Sequence, residues 1–161
     1  MRWVVIKAER YFPACAALAC FFLIVYYSQE ILILENRDLV NWKNLYTAVF
    51  DWSAVQTGFL FGVYGFVFGK TDGFIGAVRN TIAMKNFIGY TRNATIVGFF
   101  LTIISIPMLV VNPTMNSQYS AFFFIIAAWF SVFVWAFISF LRVAFIFGII
   151  VRTPENDRLK G

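Results

Sequence analysis

The sequence predicts an all-α, polytopic membrane protein with four transmembrane helices, and two observations carry this prediction. The first is composition: 61% of the 161 residues are hydrophobic and only 13% are charged, whereas soluble domains contain about 45–50% apolar residues. The second is that the apolar residues fall in four blocks, each near the length of about 20 residues that a helix needs to cross a bilayer. In lipid these blocks must be helical, because every backbone N–H and C=O needs a partner.

The four blocks form one transmembrane domain that covers residues 1–161. The predicted helices are residues 11–34, 48–69, 94–112 and 119–151, and residues 152–161 are a short polar cytoplasmic tail. The first block has no small-residue cleavage site after a short apolar core. We therefore interpret it as a retained helix rather than a signal peptide.

Basic residues set the predicted orientation. Ten of the 13 lysines and arginines lie in the N-terminal segment, the 70–93 loop and the C-terminal tail, and two lie in the first loop on the other side. Cytoplasmic loops are enriched in lysine and arginine, so we expect both termini in the cytoplasm and the protein in the inner membrane. An alternative interpretation is that these lysines and arginines bind nucleic acid. The dispersed basic residues and the lack of a nucleic-acid motif argue against direct binding.

The loop between helices 2 and 3, residues 70–93, places Phe74, Val78 and Ile82 on one helical face and Arg79 elsewhere. Apolar and basic faces together suit the anionic inner leaflet. The loop is therefore predicted to form amphipathic helices that lie on the cytoplasmic surface of the membrane.

Small residues form a stripe along the second helix. The stripe follows Asp51 and consists of Ala54, Gly58, Gly62, Gly65 and Gly69. At 100° per residue these positions fall within an arc of about 80°. Such a surface lets another helix approach closely in lipid. The partner is either the alanine- and cysteine-rich start of the first helix, residues 14–20, in the same subunit, or another copy in a homo-oligomer.

Three polar side chains within the apolar blocks are candidates for function: Asp51, Gln56 and Arg142. Ionisable residues inside a membrane segment are costly and often functional. Each also has a structural interpretation. Asp51 could be a solvated acid at a helix start, within an aromatic belt of Trp42, Tyr46 and Trp52. Gln56 could make an interhelical hydrogen bond, and Arg142 could extend its side chain to the inner interface.

The fourth block is longer than a bilayer requires. It has 33 residues from Tyr119 to Val151, or about 50 Å of helix, against a hydrocarbon core of about 30 Å. Its end therefore projects into the cytoplasm, where an exposed apolar face marks an interaction surface. Helical spacing places Phe145 and Ile149 on one face. These two residues, with Lys85 and Arg79 of the loop, are the predicted contacts of a cytoplasmic protein partner.

Catalysis is not expected. The chain has no histidine, which excludes imidazole metal ligands and Ser–His machinery. Cys15 and Cys20 lie about 140° apart on one helix and cannot bridge each other there. The Gly-Lys-Thr at residues 69–71 is not a phosphate loop, because Tyr64 stands where the motif needs glycine. No catalytic, cofactor-binding or metal-ligating residue is predicted, and no cofactor.

The segments DWSAVQTGFLFGVYGFVF and AVRNTIAMKNFIGYTRNATIVGFFLTI carry a resemblance. With both ends inside and a basic amphipathic loop between them, they look like the small four-helix inner-membrane proteins of bacterial phage-exclusion and anti-phage systems. The layout is similar to the lambda Rex membrane protein and, as the preferred match, to the membrane subunit of the Kiwa defence system. The resemblance implies a homo-oligomer that senses phage attack and works with a cytoplasmic, nucleic-acid-binding partner.

Two classes of function stay open. The first is a non-enzymatic membrane sensor or scaffold, which makes the cytoplasmic surfaces at residues 70–93 and 143–161 the most important. The second is an ion-conducting channel or membrane-depolarising effector, which makes the intramembrane polar positions the most important. A third class, a lipid-modifying enzyme, lacks recognisable chemistry.

Overall fold

The computed structural model describes residues 2–37, 39–69, 81–114 and 120–152, and only the backbone of residues 2–10. Regular secondary structure in these ranges is α-helical throughout, which confirms the all-α class. The helices are α1 (Arg2–Tyr26), α2 (Ser28–Asn36), α3 (Trp42–Gly69), α4 (Ile82–Val111) and α5 (Ala121–Arg152). The predictions for residues 70–80, including Arg79, and for the tail at residues 153–161 lie outside the described residues.

Two helices, α4 and α5, are long and apolar enough to cross a membrane. The count rises to three if α1 from Tyr11 and α2 form one bent span. The chain therefore has the character of a membrane protein with two or three spans by length and composition. Helix α3 does not reach the hydropathy of α4 and α5, because Asp51, Gln56 and Thr57 interrupt its apolar residues. Its membrane crossing stays a prediction.

The first predicted helix, residues 11–34, is not one continuous helix. Helix α1 ends at Tyr26, and α2 continues at an angle of 65° to it. The bend is at Tyr27, which has φ −91° and ψ 23°, next to the polar stretch Ser28–Gln29–Glu30. The N–H of Tyr27 still donates to the carbonyl of Leu23 at 2.9 Å. The chain thus bends without losing that backbone hydrogen bond.

Helix α3 begins at Trp42 rather than at residue 48. The side-chain Oδ1 of Asn41 accepts a hydrogen bond from the N–H of Asn44 at 3.1 Å, which is the pattern of an N-cap. The earlier start places Asp51 about 14 Å into the helix rather than at its beginning.

Helix α4 begins at Ile82 rather than at residue 94. The prediction that residues 82–93 belong to a loop on the membrane surface is therefore wrong, because they form the start of α4. The hydroxyl of Thr81 caps the helix by accepting from the N–H of Met84 at 3.3 Å. Met84 and Phe87 are then buried in a cluster with Val143 of α5. Tertiary packing of this kind supplies most helical stability in proteins, and here it extends α4 by about three turns.

The other end of α4 lies within one residue of the predicted end at residue 112. Pro107 lies inside α4, which continues past it to Val111. The helix ends where Asn112 adopts a left-handed conformation with φ 47°, and its N–H donates to the carbonyl of Met108 at 3.0 Å. Asparagine tolerates this conformation better than most residues.

The helices pack in the order α3, α4, α5 and α1, and α3 also touches α5. We call the end of the bundle at Trp42, Val111 and Ala121 the upper end and the end at Gly69, Ile82 and Arg152 the lower end. The upper cluster of buried apolar residues is Tyr46, Val49, Leu101, Met108, Phe123, Ile126, Trp129 and Ala136. The lower cluster is Leu60, Val63, Val67, Met84, Phe87, Ala94 and Val143. Under the predicted orientation the lower end faces the cytoplasm.

Candidate functional site

The glycine stripe of α3 faces away from the rest of the described chain. Gly58, Gly62, Gly65 and Gly69 are all exposed, and a Cβ built on any of them would have nothing within 4 Å. The proposed partner within the subunit, the start of the first helix, packs on α5 instead of α3. The interpretation that the stripe packs inside one subunit is therefore wrong for the described residues. Its role in a homo-oligomer stays a prediction.

A different glycine makes the close contact. A Cβ on Gly98 of α4 would lie 2.8 Å from Oγ1 of Thr57 and 3.2 Å from Nε2 of Gln56, both on α3. Such distances leave no room for a side chain, so Gly98 lets α3 and α4 cross at close range. The sequence analysis did not identify Gly98, although Ala94 and Thr102 stand four residues before and after it, at the spacing of a small-residue packing motif.

Gln56 joins three helices at this crossing and is only 1% exposed. Its Oε1 accepts from Nε1 of Trp52 at 3.1 Å, and its Nε2 donates to the carbonyl of Ala136 at 3.1 Å. Nearby, Oγ1 of Thr102 on α4 lies 3.0 Å from Oγ of Ser53 on α3. We call Ser53, Gln56, Thr57 and Thr102 the polar seam. Each of these side chains makes a hydrogen bond, so the seam fixes helix positions as interhelical bonds do in membranes.

Asp51 lies on the opposite face of α3. Its side chain is exposed, and it shares the face of Ala54 and Gly58, which are also exposed. Because α3 begins at Trp42, Asp51 does not lie at the start of the helix. The interpretation of Asp51 as a solvated acid at a helix start is therefore wrong. The carboxylate instead stands at the upper end of the outward-facing small-residue stripe.

The predicted aromatic belt at this end is wrong for Tyr46. Tyr46 is fully buried: its hydroxyl donates to the carbonyl of Pro113 at 2.7 Å, and its ring meets Trp129 edge-on at 5.1 Å. Trp52 packs against Phe137 of α5, with ring centroids 5.5 Å apart, besides bonding to Gln56. Tyr46 is a core residue, and Trp52 is half-buried. Their contacts with Trp129 and Phe137 of α5 could not be predicted without the neighbouring helix.

The lower end of α5 has one packed face and one exposed face. Val143 is buried in the lower cluster, and Ile146, Phe147 and Ile150 pack against it. Phe145 and Ile149 point away, with 71% and 53% of their surface exposed. We call these two residues the docking face. Lys85, at the start of α4 on the same end of the bundle, is exposed as well.

Arg142 is half-buried and lines a cavity between α1, α4 and α5. Its guanidinium carbon lies 3.5 Å from the centre of the Tyr90 ring, a distance at which cation and ring attract each other. The cavity has a volume of about 250 Å³. Arg142 is thus separated from the glycine stripe and from Asp51, which lie on the outward face of α3.

Within the described residues, no three cysteine, aspartate or glutamate side chains come together as a metal site. Cys15 and Cys20 are free thiols. No family model matches the chain, and neither a curated protein nor a solved structure matches it. Function therefore has to be argued from the docking face, the glycine stripe and the polar residues.

Proposed function

We propose that the protein is a non-enzymatic sensor or scaffold subunit of the inner membrane, with four membrane-spanning helices and both termini in the cytoplasm. It assembles as a homo-oligomer through the glycine stripe and docks a cytoplasmic protein through the docking face. The resemblance in layout to anti-phage membrane proteins supplies the biological setting, defence against phage. Lys85, exposed at the same end of the bundle as the docking face, adds positive charge there, and Arg79, which lies outside the described residues, stays a predicted contact of the partner.

The observation that carries the proposal is the apolar exposure of Phe145 and Ile149. Helix α5 has 32 residues, or about 48 Å, so it outruns a hydrocarbon core of about 30 Å. The segment from Ala121 to Leu141 already fills that thickness. Phe145 and Ile149 come after it, where lipid tails do not cover them, and large exposed apolar side chains in such a place mark a protein contact.

The outward glycine stripe supports the oligomer. Gly58, Gly62, Gly65 and Gly69 each weaken α3 by roughly 1 kcal/mol relative to alanine. Inside the subunit no described residue uses the space that they leave. A second helix that packs into this groove would recover dispersion energy that no lipid chain matches as closely.

The docking proposal is tested by Phe145→Asp with Ile149→Asp in a tagged protein expressed with its own neighbouring genes. The double variant should insert into the membrane but lose co-purification of the soluble protein encoded beside it, because two carboxylates replace the apolar contact. Val151→Asp is the matched control: it is exposed at the same end of α5, and lies about 200° around the helix from Ile149. Equal co-purification in the double variant and the wild type would contradict the proposal.

A channel or depolarising effector is the alternative, and one observation favours it. Asp51 is exposed on the same face of α3 as the glycines, so an oligomer that turns the stripe toward its axis would carry a ring of carboxylates. Such rings select cations in channels. Membrane potential measured in cells distinguishes the two functions: Asp51→Asn changes it if the protein conducts, and leaves it unchanged if the protein is a scaffold.

A further inference from the structure

A groove runs along the outside of the bundle between α3 and α4. It has a volume of about 410 Å³, and the residues that line it include Phe61 and Tyr64 of α3 and Arg92, Ile96, Phe99 and Ile103 of α4. The α4 residues recur at intervals of three or four, which places them on one face of the helix. Phe61, Ile96 and Phe99 are exposed, so the groove is open to the surroundings of the bundle. We call it the outer groove.

The outer groove is apolar along most of its length. The hydroxyl of Thr95, which also lines it, donates to the carbonyl of Thr91 in the same helix at 2.9 Å. Among the described lining residues only Arg92 is charged, and it is exposed. The long stem of an arginine can cover apolar surface while its guanidinium extends into a polar region. A matching occupant is therefore apolar over most of its length and anionic at one end.

The outer groove covers the depth of one membrane leaflet. Helix α4 is long and apolar enough to cross a membrane, and no charged residue stands between Ala94 and Val111. Measured from Val111, Arg92 lies about 29 Å along the helix, close to the thickness of a hydrocarbon core of about 30 Å. Arg92 therefore lies at the lower boundary of the core, where lipid phosphates begin. From Arg92 to Ile103 the helix measures about 17 Å, so the groove ends near the bilayer midplane.

These dimensions distinguish a lipid chain from a protein helix. A helix about 10 Å across and about 17 Å long would fill more than about 1,000 Å³, whereas the groove has about 410 Å³. A single hydrocarbon chain is much thinner, and in a bilayer it reaches from the level of the phosphates to the midplane. Its extent is therefore that of the groove.

We propose that the outer groove binds one acyl chain of a phospholipid from the leaflet at the lower end of the bundle, with the lipid phosphate against Arg92. The guanidinium donates to phosphate oxygens, for which its planar fork is suited. The chain packs between Phe61 and Phe99 and ends near Ile103, and the second chain of the lipid stays in the bilayer. The site rests on the membrane crossing of α4 and does not depend on the proposed sensor function.

The test uses the purified full-length protein in lipid nanodiscs with a small fraction of phosphatidylglycerol that carries a photoreactive diazirine on one acyl chain. With the diazirine near the glycerol, labelling should centre on Ile96, and with the diazirine near the terminal methyl it should move to Ile103. Mass spectrometry of the labelled peptides gives the position, and no substitution is needed. Equal labelling of exposed apolar residues elsewhere at the same depth, such as Leu141 of α5, would show ordinary lipid contact and overturn the proposal.

A groove-filling substitution separates the outer groove from the rest of the lipid-facing surface. Thr95→Phe places a ring in the groove and should lower labelling there several-fold, and the hydrogen bond that it removes lies within α4. The matched control is Val110→Phe, at an exposed position of the same helix outside the groove, which should leave labelling unchanged. Undiminished labelling in Thr95→Phe, or an equal loss in Val110→Phe, would overturn the proposal.

Competition tests the contact between the phosphate and Arg92. Unlabelled phosphatidylglycerol should displace the probe about tenfold better than diacylglycerol with the same chains, which is the difference expected for one charge-assisted hydrogen bond. Arg92→Gln should remove this difference, and Arg152→Gln, the same change at an exposed position of α5, should keep it. No difference in the wild type, or its loss in both variants, would overturn the proposal.

A second copy of the chain is the other occupant that an experiment can detect. In a background of Cys15→Ser with Cys20→Ser, copies that carry Phe99→Cys should stay monomeric when membranes are oxidised, because lipid separates them. A disulfide-linked dimer would place protein rather than lipid against the groove and overturn the proposal.

Discussion

The two faces of α3 differ in their contacts. One face is suited to close helix packing but is open in the subunit, and the other is packed against neighbouring helices. One face carries Gly58, Gly62, Gly65 and Gly69, and the structure leaves it open. The other carries bulky or polar residues such as Gln56 and Leu60, and it is buried against α4 and α5. A stripe of small residues shows that a helix surface permits close approach. It does not show that the approaching helix belongs to the same chain.

The contrast between Gly98 and the stripe makes the same point from the side of α4. Gly98 stands between Ala94 and Thr102 at helical spacing, and, unlike at the stripe, a Cβ there would clash with Thr57 and crowd Gln56. Its importance comes from polar side chains of another helix that occupy its space. The small-residue spacing around Gly98 permits close approach, but only three-dimensional packing shows which residues approach it, because they are about 40 positions away in sequence.

The largest effect is expected at Gly98. Gly98→Leu places a side chain where Thr57 and Gln56 now lie, and both are held by hydrogen bonds of 2.7 Å and 3.1 Å to Ser53 and Ala136. Neither can move without losing a bond, so we expect a loss of about 3 kcal/mol or more in the free energy of unfolding. Thermal unfolding in detergent measures this loss.

The matched control is Gly89→Leu, on the same helix, where a Cβ would have nothing within 4 Å. It should be neutral or slightly stabilising, since leucine favours the helix by a few tenths of a kcal/mol or more over glycine. Equal destabilisation by the two substitutions would mean that the α3–α4 crossing does not need Gly98.

The next effect is on assembly rather than stability. Gly62→Leu or Gly65→Leu should leave the unfolding temperature of the monomer unchanged or higher, because the stripe is open in the subunit. Either should abolish the homo-oligomer, since the leucine side chain fills the groove that another helix would enter. Light scattering on detergent-solubilised protein measures the mass.

Phe66→Leu is the control for the stripe, because Phe66 lies off it and packs against Phe147, with ring centroids 5.8 Å apart. It should keep the oligomer and lower stability slightly. An unchanged oligomer mass in both glycine variants would remove the stripe from the interface and leave it facing lipid alone.

Much of this fold was predictable from apolar block length and composition, and the remainder depended on contacts between distant residues. The block at residues 119–151 is close to α5, because a long uninterrupted apolar run leaves few alternatives. The start of α4 was missed by about three turns, since Met84 and Phe87 become helical core only through Val143 of α5. Tyr46 was placed at the interface for the same reason: its burial depends on Trp129 and Pro113.

In the candidate site, too, some features were predictable from the local sequence and others depended on contacts between distant residues. Exposure of Phe145 and Ile149 agrees with helical spacing, a local property that needs no partner. The surroundings of Arg142, by contrast, come from α1 and α4, and no pattern along α5 indicates that Tyr90 lies 3.5 Å from its guanidinium. Sequence reasoning could name the charged residue but not the cavity beside it.

The smallest expected effects on the free energy of unfolding come from substitutions of the polar residues on the two faces of α3. Gln56→Leu removes the bond to the Ala136 carbonyl and leaves the indole N–H of Trp52 without its acceptor. Interhelical hydrogen bonds in membrane proteins contribute about 0.6 kcal/mol each, up to about 1.7, so the free energy of unfolding should fall by about 1–2 kcal/mol. Asp51→Asn, on the exposed face, should leave it unchanged, because this side chain lies outside the packed core. Chemical denaturation in mixed micelles resolves the two. If Asp51→Asn destabilised the monomer more than Gln56→Leu, then the carboxylate would belong to the folding core, and the division of α3 into a packing face and an open face would have to be given up.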